Sequence, residues 1–140
     1  MPGLRAPAAR IAAALAALLA AAGARAQEFQ PYPSPKVTIE QWQRYLATVR
    51  EIHGRSMEIF KDQHLVAFNN PQTRTFYIFT TKDHPAHPAW ITRQLVEEGG
   101  QVNVRQIGFF AGEQEPFDAL FRDYLRRNEA LRSDVERRNR

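Results

Sequence analysis

An α+β fold follows from three features of the sequence: a capped amphipathic segment beginning at Thr38, strand-like runs between positions 64 and 110 that group as two hairpins, and a second amphipathic segment opening at Pro116. Together they predict an N-terminal helix packed on a four-stranded antiparallel sheet of two hairpins, followed by a C-terminal helix. An arrangement in which the C-terminal helix covers the second face of the sheet stands beside it.

Ahead of the fold, Arg5 and Arg10 give a basic start, residues 11–22 are uncharged and apolar, and Ala24-Arg25-Ala26 sets small residues at the positions a signal peptidase reads. The expectation is a signal peptide over residues 1–26, cleaved after Ala26, and a periplasmic or secreted protein. The twelve apolar residues would reach about 18 Å as a helix, short of a hydrocarbon core of about 30 Å, which argues against an uncleaved anchor. Cleavage removes Arg5, Arg10 and Arg25 and no acid, so the formal charge falls from +4 to +1. A nearly balanced chain lacks the concentrated cationic excess that phosphate-backbone binding needs, and no nucleic-acid partner is expected. With no cysteine, neither disulfides nor thiol chemistry are available, and the fold must stand on burial.

Residues 27–36 hold prolines at 31, 33 and 35, which keep the backbone extended and remove donors, so they read as a linker. Thr38 is the candidate N-cap of the first helix, with Gln41 completing a capping box and Val37 with Trp42 fitting a hydrophobic staple. Trp42, Tyr45, Leu46, Val49, Ile52, His53, Ser56, Ile59 and Phe60 recur at steps of three and four, and the helix is expected to run to about Lys61; the alternative is that it ends or bends at Gly54 and Met57 to Phe60 form strand. Residues 64–68 and 73–81, separated by Asn69-Asn70-Pro71, form the first hairpin.

The second hairpin turns at Gly99-Gly100, a pair suited to two residues with positive φ. That turn sets Trp90 opposite Phe109, Ile91 opposite Gly108 and Leu95 opposite Val104. One face then gathers Ile91, Leu95, Val102, Val104 and Phe110 and should meet the first helix. The other mixes Trp90, Val96, Ile107 and Phe109 with Thr92, Gln94, Asn103 and Arg105, as the wall of a shallow pocket would. Phe117, Leu120, Phe121, Tyr124 and Leu125 follow Pro116 at helical spacing. Along the same segment and past it, the pairs Asp118/Arg122, Asp123/Arg127 and Asp134/Arg138 stand four apart, acid first, as in a solvated helix. Residues 37–127 are therefore read as one α+β domain and residues 128–140 as a charged helical tail.

His84 and His87 sit three apart in Asp83-His84-Pro85-Ala86-His87-Pro88, and two imidazoles beside a carboxylate can begin a Zn²⁺ or Cu²⁺ site, with the third ligand to come from His53 or His64. The opposing reading is a crossover loop in which histidine and proline give shape, with no cofactor at all. Asp83 next to His84 is also a candidate general acid/base pair for a small hydrolase or isomerase. No serine stands in a nucleophile-elbow context, and no phosphate-cradling glycine pattern exists.

The run 84–89, His-Pro-Ala-His-Pro-Ala, then Arg93, the Gly-Gly turn, Gly108, and Ala111-Gly112 leading into Phe117, resembles a pattern in small secreted proteobacterial proteins of unassigned function. The resemblance spans about residues 80–125. It implies export and an α+β domain and brings no catalytic or ligand residues. The element order is also similar to a cystatin-like wrap of sheet around helix, a likeness of outline only.

The function these features support is a small exported binding or interaction module, non-enzymatic, using Trp90, Arg105 and Phe109 toward a protein or small-molecule partner in the cell envelope. The alternatives are a Zn- or Cu-binding protein acting through His84, His87 and His64, and an enzyme using Asp83 and His84.

Overall fold

The computed structural model describes residues 32–138. The expected leader, and residues 27–31 of the expected linker, lie outside the described residues. The chain divides into two units, Met1–Pro33 and Ser34–Arg140. Of the first only Tyr32 and Pro33 are described, both in a bend; the second carries every element below.

Helix α1, Ile39–His53, opens where the sequence places it. The Thr38 side chain accepts from Gln41 N at 3.1 Å, and Gln41 Oε1 accepts from Thr38 N at 2.9 Å, so two N-terminal amides are satisfied reciprocally. The helix stops at His53 rather than near Lys61. A short 3₁₀ turn, Gly54–Ser56, follows, and the Ser56 hydroxyl donates to His53 O while accepting from Asn69 N, both at 2.7 Å. That hydroxyl ties the end of the helix to the first hairpin. Residues Glu58–Phe60 then form strand β1 instead of a further helical turn.

The sheet consequently has five strands, not four. Strand β2 is Leu65–Asn70, β3 Thr75–Thr80, β4 Ala89–Glu98 and β5 Gln101–Phe110. They run in the order β1-β2-β3-β4-β5, each antiparallel to the next. The second hairpin has the expected register, with Trp90 opposite Phe109, Ile91 opposite Gly108 and Leu95 opposite Val104. Its turn uses φ of 59° at Gly99 and 78° at Gly100, a conformation only glycine enters freely. One end of the linker is not free. Residues 35–37 pair with the outer edge of β5, Val37 N donating to Phe110 O at 2.9 Å and Phe110 N to Pro35 O at 2.8 Å.

The assignment of faces is the reverse of the expectation. Helix α1 covers the Trp90 face: Tyr45 stacks on Trp90 with centroids 4.6 Å apart, Trp42 meets Phe79 edge-on at 6.4 Å, and His53 stacks on Tyr77 at 5.6 Å. Large rings on the helix meet large rings on the sheet. Helix α2, Gln114–Arg138, covers the face of Ile91 and Phe110, where Gly108 carries no side chain and leaves room for rings. Phe117 stacks on Phe110 at 4.7 Å, and Phe117, Leu120 and Tyr124 share one buried cluster with Leu65, Ile78, Ala86, Ala89 and Ile91. With a helix on each face, the architecture departs from a sheet wrapped round a single helix. Among the described residues, no helix is long and apolar enough to cross a membrane.

Helix α2 is continuous to Arg138, and its docked part goes past position 127, because Asn128 is buried at 7 % exposure. Two of the three i, i+4 pairs form, Asp123–Arg127 and Asp134–Arg138, each at 3.0 Å. Both are exposed pairs, worth at most about 1 kcal/mol each.

Candidate functional site

Strand alternation places Arg93 between Ile91 and Leu95 on the α2 face. Its cross-strand neighbours there are Phe76 on β3 and Gln106 on β5. A guanidinium at such a position must be hydrogen-bonded or it costs several kcal/mol of desolvation. It is bonded on one side only. Arg93 Nε donates to Asn128 Oδ1 at 2.6 Å, Asn128 Nδ2 donates to Gln106 Oε1 at 2.6 Å, and Gln106 Nε2 donates to Phe121 O at 2.9 Å. This relay runs from strand to helix and back, ending on the helix backbone. Its amides are spent on fixing the orientation of one arginine.

The Arg93 guanidinium lies over the Tyr124 ring, its Cζ 5.1 Å from the centroid, and Arg127 approaches the same ring at 4.8 Å. Burial lowers the Arg93 pKa from its ordinary value, with Tyr124 opposing and Arg127 reinforcing the shift. Burial raises the Tyr124 phenol, against the pull of Arg127 and Arg93. Arg127 has a carboxylate partner in Asp123; Arg93 has none among the described residues. Both terminal nitrogens of Arg93 are without a protein hydrogen bond, and neither is sealed from solvent. The result is a cation held at the sheet–helix seam with its terminal nitrogens not bonded to protein.

The histidine loop is built differently. His84 Nδ1 accepts from Ala86 N at 3.0 Å, His84 N donates to Thr81 O and His87 N to His84 O, each at 3.0 Å. His87 Nδ1 lies 2.9 Å from Thr80 Oγ1, its ring meets Trp42 edge-on at 5.0 Å, and the His87–Pro88 bond is cis. Gly112 packs against this loop so closely that a Cβ there would come within 2.7 Å of His87 O. His64, with φ of 56°, takes Thr81 N on its carbonyl at 2.9 Å. The loop's local bonds give it shape.

The three histidines do gather at one end of the sheet. The His84 pKa is lowered first by burial and then by repulsion from His64 and His87; that of His87 is lowered by burial, against a backbone hydrogen bond with Thr80. Yet no three His, Asp or Glu side chains among the described residues are arranged to hold a metal ion, and the Nδ1 atoms of His84 and His87 are already engaged. Asp83 is exposed and makes neither a hydrogen bond nor an ion pair with His84, so the acid/base pair suggested by their adjacency is not formed.

Trp90 and Phe109 are 0 % and 2 % exposed, stacked on each other at 4.7 Å beneath Tyr45. They belong to the core and do not line an open wall, because the face that carries them is the one α1 covers. Arg105 is exposed and paired with Glu98. Its cross-strand partner Gln94 is four residues along β4 from Trp90, about 13 Å at about 3.3 Å per residue. These three residues do not converge.

Arg93, Gln106, Tyr124 and Asn128 were not singled out as a site from the sequence. The signal was the alternation Ile91, Arg93, Leu95, which puts one charge among inward-facing apolar residues. Comparison with protein-family models, with curated proteins and with solved structures finds no match to this chain.

Proposed function

We propose that this chain is a small exported binding module, non-enzymatic, and that it takes its ligand at Arg93. The observation that carries this reading is the state of that guanidinium: held through Nε by a part-buried amide relay, lying over Tyr124, and with no protein hydrogen bond at its two terminal nitrogens. A structural arginine spends its donors on the protein. One held so firmly with its outer edge free is arranged for an anion from outside. That Asp83 and His84 share no hydrogen bond supports binding over acid/base chemistry.

Two measurements test the two halves of this reading. Expression of the full chain in a Gram-negative host, followed by periplasmic release and intact-mass analysis, is expected to give a product beginning at Gln27; a product retained in the cytoplasm with residues 1–26 overturns export. A thermal-shift screen of anionic, neutral and cationic compounds is expected to find an anion that stabilises the protein and does so no longer in Arg93→Gln. Stabilisation by no anion, or stabilisation indifferent to Arg93, overturns the site.

A further inference from the structure

The sheet surface beside Arg93 narrows the ligand class. Helix α2 lies along β5 and reaches β4 through Asn128 and Arg93. On the same face the rows toward β1 are less covered: Phe76 and Ala67 are only partly buried against the core cluster, and Phe60 is 39 % exposed. Asn69, Phe76 and Arg93 stand opposite one another in register across three strands. At about 4.8 Å between strands, the distance from Arg93 to Asn69 is about 10 Å, the length of one ring with a short side chain.

Arg93 has no carboxylate partner among the described residues, whereas Arg126 and Arg127 share the single carboxylate of Asp123. With Nε occupied, the free edge is the pair of terminal nitrogens, which matches the two oxygens of a carboxylate. We infer that the ligand is a monocarboxylate on an apolar or aromatic body, the carboxylate paired end-on with Arg93 and the body lying on Phe76 and Ala67. This inference rests on the binding-module reading above.

The test is an NMR titration of the purified protein, following the Arg93 Nε–Hε and Phe76 ring signals, with four probes: 3-phenylpropionate, 3-phenylpropan-1-ol, acetate and inorganic phosphate. The expected result is saturable movement of both signals with 3-phenylpropionate, at an affinity at least about tenfold above that for the alcohol and for acetate, because the charge and the apolar body each contribute. Arg93→Lys, which keeps the charge and loses the fork, is expected to weaken 3-phenylpropionate about tenfold while thermal stability reports that the fold is kept. Equal affinity for the alcohol or for acetate, or an unchanged affinity in Arg93→Lys, overturns the inference. Tighter binding of phosphate than of the carboxylate overturns the ligand class and leaves the anion site standing. Silence from all four probes overturns the carboxylate class, and the broader screen with Arg93→Gln then decides the binding module separately.

Discussion

Gly108 lies beneath the ring of Phe117 so closely that a β-carbon at 108 would come within 2.7 Å of the ring Cζ, and within 2.9 Å of Phe121 Cδ2. The missing side chain is what lets α2 settle on β5. Gly108→Ala is expected to destabilise the protein by about 1–3 kcal/mol, the usual cost of overpacking, as measured by chemical denaturation. The penalty should shrink when Phe117 is also changed to Leu; a penalty unchanged in that background would mean that the close approach is not its cause.

Asn128 joins Arg93 to Gln106 from a position only 7 % exposed. Asn128→Ala leaves a guanidinium Nε–H and an amide oxygen without their partner. A loss of about 1–3 kcal/mol is expected, and removing Gln106 as well should cost less than the sum of the two single changes. Strict additivity in a denaturation cycle would show that the three side chains do not act as a relay.

Trp42 donates from Nε1 to Ala89 O at 3.1 Å, anchoring α1 to the first residue of β4. Ala89 O keeps a second donor in Thr80 Oγ1 at 3.2 Å, so Trp42→Phe removes a bond without stranding the acceptor. The hydrogen bond accounts for about 1 kcal/mol, with further loss from the smaller ring. Denaturation of Trp42→Phe indistinguishable from the parent protein would contradict this anchoring.

Acid should weaken the fold through the histidine loop. Burial, then His64 and His87, hold the His84 pKa below the ordinary 6.5. Above 6.5 the group is neutral whether folded or unfolded, and the stability is fully present. As pH falls through 6.5 toward the lower folded value, the unfolded chain takes up a proton that the folded chain resists, and stability declines. His87 acts in the same direction. His84→Asn keeps an oxygen able to accept from Ala86 N and removes the titration, so denaturant midpoints measured from pH 7 to pH 5 should fall less steeply in the variant. Identical slopes would assign the acid sensitivity elsewhere.

Local chemistry was readable in the sequence. The capping box at Thr38 and the register set by Gly99-Gly100 depend on neighbours within a few positions, and both are found in the structure; the first hairpin turns later than Asn69-Asn70-Pro71 suggests, because Asn69 and Asn70 pair with Phe76 and Thr75. What was not readable depended on partners far along the chain. Gly54 marked where the helix could end, but the pairing of residues 58–60 with β2, beside the Ser56–Asn69 bond, depends on contacts that helical periodicity does not encode. The choice of which sheet face receives which helix rests on how ring sizes match across layers, and the alternation pattern alone is symmetric between the two. Arg93 was visible as a charge on an apolar row, but its orientation depends on Asn128, a residue that reads from the sequence as part of a solvated tail. The histidines, conspicuous for their chemistry, are committed largely to backbone hydrogen bonds within their loop.

The incomplete roof that α2 makes over its face of the sheet divides the freedom of that face to change. Gly108, Phe110 and Ile91 are locked under rings, and nearly any replacement there is felt by the helix above. Phe76, Ala67 and Asn69 lack that constraint on one side, so their sizes and polarities can drift while the fold persists. Substitutions at these three positions would therefore reshape that part of the face with Arg93 and its amide supports left untouched.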